Sequence, residues 1–476
     1  MEKDLKKQTK QGVIWSAVQR FSTQGIQFVT TIIMARMLTP ADYGVVGMLD
    51  IFIAILSVFV DSGFINALTR KQDRTHTDIC TVFFFNIGVA FLAYCILYLI
   101  APLVASFYSI PELCIILRLL GIIVIIDSFA AVQVTLMTIN LNFKTQTKIS
   151  TISLLISGTT GIILANCNYT YWALVIQALI YGIISTSLFW YYSPWRTSLL
   201  FSKKSFKEMF AFGSKILVTT IIDATYSNLY SLVIGKVFSA STLGNYSRAN
   251  SYASIPSSNL TSIMQRVTYP VLCKIQEDEN ALTEAYRKII RLSAFVIFPL
   301  MTGLSALAYP FIIIILGEKW SFSALILQII CFSMMWYPIH AININLLLVK
   351  GRSDLNLRIE ILKKGMGIII LCIAVPMGII ALCYSGIIAS ILSLIINTYY
   401  TGKLINWGFL LQMKDLTPTL LISIGMWGSI MIINTFIDNM IAQMIIGILN
   451  GIVFYISASY IFNRKDLFSI ISLINR

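Results

Sequence analysis

The sequence predicts an all-α polytopic membrane protein with about fourteen transmembrane helices, on the basis of its composition and its recurring apolar segments. Hydrophobic residues make up 57% of the 476 residues, and charged residues make up only 12%. A soluble domain usually carries about 25% charged residues, so this chain has too few to cover a surface in contact with water. We therefore expect lipid to surround most of the protein.

Apolar segments long enough to cross a bilayer recur along the chain, separated by short polar connections. They lack the alternation of apolar and polar residues that a transmembrane β-strand shows, which favours helices. The predicted helices cover residues 11–37, 44–68, 79–103, 112–138, 149–166, 170–192, 212–237, 245–271, 290–316, 322–349, 361–383, 385–407, 418–437 and 440–462. Because boundaries read from sequence shift by about 2–4 residues, totals of twelve or thirteen stay open. Pro256, Pro299, Pro338 and Pro376 are expected inside these helices, as hinges or as fixed bends.

The net charge of +14 is concentrated on one side of the predicted bundle. If the N-terminus is cytoplasmic, most of the 35 lysines and arginines fall in cytoplasmic connections, whereas the external side holds Lys319 and Arg36. This distribution follows the positive-inside rule and predicts an even number of helices with both termini in the cytoplasm. It explains the charge without a nucleic-acid partner. All connections are short, so we expect the function to lie within the membrane.

No residue pattern points to a catalytic centre or a metal site. The 8 cysteines form no CxxC pair and the 2 histidines are isolated, so neither a metal site nor a disulfide framework is expected. His340 is expected to be a packed, neutral histidine. The sequence has no phosphate-binding loop and no hydrolase motif, so we expect neither a cofactor nor an enzyme.

The sequence repeats itself weakly at an offset of 200 residues. The run Ala35-Arg-Met-Leu38 followed by Gly44 matches Gly235-Lys-Val-Phe238 followed by Gly244. The polar stripe of the preceding helix is repeated as well, with Arg20, Thr23, Gln27 and Thr30 matched by Thr220, Asp223, Ser227 and Tyr230. Repeats of this kind are common in transporters, so we expect two lobes that each contribute a polar helix to a shared interior.

Several charged side chains fall inside predicted helices, where each costs about 2.5–3.5 kcal/mol at the bilayer centre unless it faces a wet cavity or a partner. Arginine suits phosphate because its planar guanidinium donates two parallel hydrogen bonds. The candidates for binding an anionic substrate in a central cavity are Arg20, Thr23, Gln27, Arg248, Asn259 and Arg266. The candidates for coupling to H⁺ or Na⁺ are Asp50, Asp61, Asp127 and Asp223. Alternatively these charges, together with Arg118, pair with one another or lie near helix ends and only hold helices together.

Seven short motifs follow one another over roughly residues 10–400. They are Leu38-Thr-Pro-Ala-Asp-Tyr-Gly44, Phe59-Val-Asp-Ser-Gly63 leading to Arg70-Lys71, Phe143-Lys144, Leu243-Gly-Asn-Tyr-Ser-Arg-Ala249, Tyr269-Pro270, Leu316-Gly-Glu-Lys-Trp320 and Gly351-Arg-Ser-Asp354. In this order they resemble the polysaccharide exporter family of the multidrug/oligosaccharidyl-lipid/polysaccharide superfamily, above all the Wzx-type flippases and the colanic-acid and teichuronic-acid exporters. Lys236 departs from the family, which often has arginine there, but the positive charge is retained.

The resemblance implies two pseudo-symmetric six-helix lobes around a central cavity, residues 1–200 and 201–411, followed by two C-terminal helices in residues 412–476. It implies a multi-pass protein of the bacterial cytoplasmic membrane. The implied substrate is an undecaprenyl-diphosphate-linked oligosaccharide, a precursor of polysaccharide or lipopolysaccharide such as O-antigen, moved by alternating access. Arg20 would correspond to a cavity arginine in related flippases of lipid-linked peptidoglycan precursors. Membrane lipid and other polysaccharide-assembly proteins are the expected partners.

Two other functions stay open beside this interpretation. A cation-coupled multidrug exporter of the same superfamily would favour acidic residues in its cavity, whereas basic candidates are at least as frequent here. A membrane-embedded polysaccharide polymerase would need a sizeable catalytic loop outside the membrane, and the external connections are only a few residues long. The flippase is therefore the favoured interpretation.

Overall fold

The computed structural model describes the backbone of residues 2–61 and 63–474, which form 19 α-helices and two short 3-10 turns. Side chains are described from residue 15 onward, except those at positions 17, 61, 62, 211, 212, 215, 216, 267, 471 and 473–476. The described residues contain no β-strand, in agreement with the all-α prediction. The chain divides into two compact units, Met1–Gly244 and Asn245–Arg476.

The first unit is built from nine helices and the first turn of a tenth. They are α1 Glu2–Met37, α2 Pro40–Gly47, α3 Asp50–Asp61, α4 Phe64–Arg70, α5 His76–Tyr108, α6 Leu113–Ile139, α7 Phe143–Asn166, α8 Thr170–Tyr192, α9 Lys203–Val237 and the start of α10 Ala240–Lys274. Helix α7 packs against both α1 and α8, while α6 packs against α5 and α8. Helix α9 packs on α4 and α5, whereas α1 packs on α7.

The second unit contains the rest of α10 and nine further helices. They are α11 Glu279–Ala306, α12 Ala308–Leu316, α13 Ser321–Met334, α14 Tyr337–Val349, α15 Ser353–Ala374, α16 Ile379–Ile405, α17 Phe409–Asn434, α18 Met440–Phe462 and α19 Arg464–Ile474. Helix α11 packs against α13 and α17, and α16 packs against α13, α14 and α15. The core of this unit therefore lies around α11, α13 and α16.

Eleven helical stretches among the described residues are long and apolar enough to cross a membrane. Three further helices, α1, α10 and α15, have 36, 35 and 22 residues, but they carry too many polar or charged side chains to meet the same requirement. Two of these three helices, α1 and α10, carry the arginines that the sequence predicts to line a cavity. The predicted total of about fourteen spans stays a prediction.

Several predicted helices are interrupted or shifted in the structure. The segment 44–68 is divided among α2, α3 and α4, the segment 290–316 breaks between α11 and α12, and 322–349 breaks between α13 and α14. The boundary predicted near residue 384 lies instead at a 3-10 turn, Val375–Met377. Proline disfavours the helical conformation of the residue before it, and Gly378 has a φ of 98° that few other residues adopt. Pro376 is thus at a helix break, contrary to the prediction, and Pro338 stands in the first turn of α14.

The repeat at an offset of 200 is present in the local structure. Helices α1 and α9 end at Met37 and Val237, and α2 and α10 begin at Pro40 and Ala240. Both turns are capped by a hydroxyl: Thr39 Oγ1 accepts a hydrogen bond of 3.3 Å from the Asp42 amide, and Ser239 Oγ accepts one of 3.1 Å from the Thr242 amide. Such caps satisfy amides at the start of a helix that have no partner in the helix.

The two repeated turns pack directly on each other through their glycines. A Cβ atom on Gly44 would stand 1.7 Å from the carbonyl oxygen of Ala240, and one on Gly244 would stand 1.8 Å from that of Pro40. The positions exchange roles as they do across a two-fold axis, since Gly44 corresponds to Gly244 and Pro40 to Ala240. The backbones approach so closely that no side chain fits between them.

A C-terminal helix is fastened to the second unit by an ion pair. Arg291 donates two hydrogen bonds to the Asp466 carboxylate, at 3.2 Å and 2.5 Å, and the Asp466 side chain is 7% exposed. A comparable two-point pair, Arg352 with Asp354, lies at 2.9 Å but leaves both side chains about half exposed, at 46% and 51%. Burial makes the loss of one partner costly, whereas exposed pairs contribute little.

Gly44→Ala is expected to lower the midpoint of thermal unfolding of the purified protein and its yield, because the new methyl group overlaps a backbone carbonyl. The cost of overpacking is about 1–3 kcal/mol, even though alanine by itself favours a helix. Gly25→Ala is the matched control, since a Cβ there meets nothing within 4 Å. An unchanged midpoint in Gly44→Ala would contradict the packing described here.

Asp466→Asn is expected to release α19, because it leaves the Arg291 guanidinium without its counter-charge. Breaking a buried pair costs about 3–5 kcal/mol, and the partly exposed arginine places this pair at or below the low end of that range. Limited proteolysis of the purified protein should cleave the C-terminal helix faster than in wild type. The C-terminal helix of Asp354→Asn should be cleaved at the wild-type rate. Equal cleavage rates in wild type, Asp466→Asn and Asp354→Asn would refute the role of the Arg291–Asp466 pair in docking α19.

Candidate functional site

The polar stripe of α1 lies along α7. Thr30 packs against Gly158, where a Cβ would come within 3.0 Å of the threonine side chain. Arg20 is half-buried and Gln27 is exposed, and the Thr23 hydroxyl donates to the Gln19 carbonyl at 2.7 Å. The hydroxyl of Thr23 therefore has its proton engaged within the helix.

Helix α7 continues the polar surface with hydroxyl groups that the sequence analysis did not single out. Ser153 is buried, Thr159 is exposed and Thr160 is half-buried, and each donates to a carbonyl of its own helix, at 2.9, 2.8 and 2.8 Å. The run Ser157-Gly-Thr-Thr-Gly161 could have indicated this surface in the sequence, because small and hydroxylated residues let helices approach closely in a membrane. Helices α1 and α7 thus form one polar wall of the first unit.

Asp127 lies at the midpoint of α6, within a cluster of polar groups. Its Oδ1 atom is 3.6 Å from the place a Cβ on Gly182 would occupy, so the carboxylate rests against α8. Neighbouring Tyr181 interacts electrostatically with Asp127, and its hydroxyl bonds with Ser150 of α7 and Ser185 of α8. An ionisable group at the centre of an apolar span is a default candidate for function. The tyrosine and the two serines were not predicted from the sequence.

The other three predicted coupling carboxylates are dispersed along the chain. Asp50 is exposed at the first position of α3, and Asp223 is exposed in α9. The side chain of Asp61 lies outside the described residues. A role of these residues in ion coupling stays a prediction.

Helix α10 carries the remaining cationic candidates in the second unit. Arg248 is half-buried beside Tyr252, whose ring packs edge-on against Phe311 at 5.5 Å, while Asn259 is half-buried and Arg266 is exposed. The helix is continuous over Ala240–Lys274, so the two arginines are about 27 Å apart along its axis at 1.5 Å per residue. They cannot hold the same diphosphate at the same time.

Helix α10 is joined to the rest of the unit by two side-chain hydrogen bonds. The Ser257 hydroxyl donates to the Met334 carbonyl at 2.7 Å, and the Ser323 hydroxyl donates to the side-chain oxygen of Asn245 at 2.8 Å. Both bonds join α10 to α13. They fix the rotation of α10 about its axis and thereby the direction in which its arginines project.

Two further intramembrane groups have a structural setting. The Arg118 guanidinium lies 3.8 Å over the ring of Tyr98 and donates to the Tyr98 carbonyl at 3.3 Å and 3.4 Å, which binds α6 to α5. His340 is half-buried and hydrogen-bonded, with Nε2 at 3.1 Å from Ser390 Oγ and Nδ1 at 3.2 Å from Asn397 Nδ2. Because the asparagine nitrogen can only donate, Nδ1 accepts and Nε2 carries the proton of a neutral imidazole.

Known proteins match this chain along most of its length. Residues 33–325 match the model of a family described as "Polysaccharide biosynthesis protein". The chain belongs to this polysaccharide biosynthesis family. The teichuronic acid biosynthesis protein TuaB of Bacillus subtilis is 26% identical over 74% of this chain and 73% of its own length. The lipopolysaccharide biosynthesis protein WzxC of Escherichia coli is 24% identical over 84% of this chain and 82% of its own length.

The fold of this family member is found in a solved flippase. The structure of the lipid II flippase MurJ in an inward closed conformation superposes with a TM-score of 0.74, covering 95% of this chain and 99% of that one, at 17% identity. Transporters of the multidrug/oligosaccharidyl-lipid/polysaccharide superfamily share the fold. The apolar helices and bacterial relatives identify a multi-pass inner-membrane protein whose family and fold are those of exporters and flippases.

Tyr181→Phe tests the polar cluster of this family member without changing the shape of the ring. It removes the hydroxyl that joins α8 to α7, so we expect a loss of about 1–3 kcal/mol of stability, seen as a lower midpoint of thermal unfolding. Tyr309→Phe, at a tyrosine that is 49% exposed, should leave the midpoint unchanged. A midpoint for Tyr181→Phe equal to that of this control would show that the hydroxyl bonds contribute nothing.

Proposed function

We propose that the protein flips an undecaprenyl-diphosphate-linked oligosaccharide across the cytoplasmic membrane by alternating access. The observation that carries the proposal is the character of α1 and α10, which are long enough to span a bilayer but too polar to face lipid on all sides. Intramembrane arginines on such helices need a wet surface, an anionic ligand or a protein partner, because a lipid-facing charge is costly. Arg20, Arg248 and Arg266 are the cations that meet this description.

The chemistry of these helices suits a lipid-linked sugar diphosphate. A guanidinium binds two phosphate oxygens with parallel hydrogen bonds, and the interaction strengthens where water is excluded. Amide and hydroxyl groups such as Gln27, Thr23 and Asn259 offer donors and acceptors for sugar hydroxyls. The polyprenyl chain needs no site of its own if it stays in the surrounding bilayer.

The spacing of the arginines on α10 favours stepwise transfer. Arg248 and Arg266 are about 27 Å apart along the helix axis, close to the thickness of the hydrocarbon core. A diphosphate that crosses the membrane beside α10 would therefore pass from one guanidinium to the other. Each arginine would be needed at a different stage of a single transport cycle.

A carboxylate in the first unit supports coupling of this movement to a cation. Asp127 lies against Gly182 and near Tyr181, in the middle of α6. Binding of H⁺ or Na⁺ at that carboxylate would change the charge inside the bundle and so bias one conformation over the other. The same observation favours a cation-coupled drug exporter as the second candidate function, although that function leaves the arginines of α1 and α10 without a role.

A polymerase is not favoured, because the structure has no room for a catalytic loop outside the membrane. The longest connection between the described helices runs from residue 193 to 202. A family of biosynthesis proteins and a flippase fold are in keeping with transport.

Arg20→Ala and Arg266→Ala, each introduced into a deletion strain, are expected to abolish surface polysaccharide, because each removes a cation from the proposed path. The effect should be at least tenfold, measured as cell-surface glycan per cell at equal amounts of protein in the membrane. Lipid-linked precursor should accumulate on the cytoplasmic side.

Arg118→Gln is the matched control, since that intramembrane guanidinium is engaged with Tyr98. It should lower the thermal midpoint of the purified protein and leave surface polysaccharide largely intact. Normal polysaccharide with Arg20 and Arg266 both replaced would refute the anion path. Export of lipophilic cations in place of glycan would favour the drug exporter.

A further inference from the structure

The connection from α8 to α9, residues 193–210 including the first two turns of α9, presents an unusual surface. Four large apolar side chains on it are exposed, and Leu199 is 94% exposed. They are Leu199, Leu200, Phe201 and Phe210. Four exposed basic residues are interleaved with them: Arg196, Lys203, Lys204 and Lys207. Alternating basic and apolar side chains of this kind characterise surfaces that lie at the headgroup level of an anionic membrane.

The other face of the α8–α9 connection is fastened to the first unit. The Ser202 amide donates to Thr81 Oγ1 at 3.0 Å, and Ser198 Oγ lies 3.1 Å from His76 Nε2. Phe206 packs in a cluster with Phe64 and Phe85, at ring distances of 5.9 Å and 5.1 Å. The connection is therefore held in one orientation, and its exposed residues point consistently outward.

A cavity of about 350 Å³ opens beside the connection. It is lined by Leu136, Met137, Asn140, Asn142, Ser193, Pro194 and Trp195. Four of these seven residues are apolar and three are polar. The indole N–H of Trp195 is buried and has no hydrogen-bond partner among the described residues, so a donor next to the cavity is left for a ligand.

Cations surround the same cavity. Arg196 donates to the carbonyls of Ser193 and Trp195. Lys144 and Lys148 follow the cavity residue Asn142 in the first turns of α7, and Lys148 lies 4.9 Å over the ring of Tyr192. The only acidic side chain in residues 193–210 is Glu208, which pairs with Lys71 at 3.4 Å. The local charge is strongly positive.

We propose that this cavity and the α8–α9 connection bind the phosphate headgroup of an anionic phospholipid. The lysines and the unpartnered indole N–H supply donors for phosphate oxygens. The apolar residues of the cavity, together with Leu199 and Phe201 of the connection, contact the acyl chains. A soluble anion would account for the lysines but not for the exposed leucines and phenylalanines. A bound lipid would fix the start of α9 to one leaflet of the bilayer.

The experiment compares phosphatidylglycerol with phosphatidylcholine on the purified full-length protein in detergent. Native mass spectrometry counts bound lipids, and a thermal scan records the shift of the unfolding midpoint. Wild-type protein should retain phosphatidylglycerol and gain several degrees from it, with little effect of phosphatidylcholine. The variant Lys203→Gln/Lys204→Gln/Lys207→Gln should lose at least tenfold in affinity. Glycerol 3-phosphate is the probe for a soluble anion.

The matched control removes three exposed lysines from the second unit, Lys274→Gln/Lys288→Gln/Lys414→Gln. It should bind phosphatidylglycerol as wild type does. Leu199→Gln changes a side chain that has almost no contacts, so it should fold normally and still bind the lipid more weakly. The proposal is overturned if the Lys203/Lys204/Lys207 variant binds as wild type does, if the control loses as much, or if glycerol 3-phosphate stabilises as well as the lipid.

Discussion

The contact between the two repeated turns is the constraint on which the arrangement of the polar helices depends. Gly44 and Gly244 each leave room for the backbone of the other turn, and a methyl group at either position would overlap a carbonyl oxygen. Because the first turn joins α1 to α2 and the second joins α9 to α10, their contact fixes where α1 ends relative to α9 and where α2 begins relative to α10. Two backbones at contact distance form a precise junction, and side chains flanking the turns, such as Leu38, Met48, Ile234 and Leu243, are buried.

The sequence predicted helix positions correctly where polar turns flank an apolar segment. The prediction was wrong where the backbone breaks a helix inside an apolar segment. Residues 170–192 were predicted and observed as α8, because polar connections flank them on both sides. The break at Val375–Met377 falls within an apolar stretch, and Pro376 and Gly378 were available as its signal. The interruption between α13 and α14, two residues before Pro338, was missed for the same reason. Periodicity and hydropathy locate spans, whereas local backbone chemistry decides whether a span is continuous.

The candidate site divides in the same way between what is local and what is not. Arg20, Arg248 and Asp127 can be identified from the sequence alone, because a charged residue within an apolar segment is unusual. Their surroundings are set by distant parts of the chain: Tyr181 and Gly182 reach Asp127 from α8, and Tyr98 on α5 engages Arg118. Arg118 shows the consequence, since the Tyr98 ring beneath its guanidinium gives it a structural setting that its place in the sequence does not reveal. Such pairs need tertiary contacts and could not have been read from spacing along the chain.

The polarity of α1 and α10 also bears on how the protein is inserted and held in the membrane. A helix that is too polar to face lipid on all sides is stable in a bilayer only when its neighbours cover its polar face. Helix α7 provides that cover for α1, through Thr30 and Gly158 and the hydroxyl groups beyond them, and α13 provides it for α10 through Ser257 and Ser323. Each unit thus contains the apolar helices that shield its own polar helix on one side. In the proposed function, the uncovered side of each polar helix is the surface that meets the anionic, hydroxylated substrate.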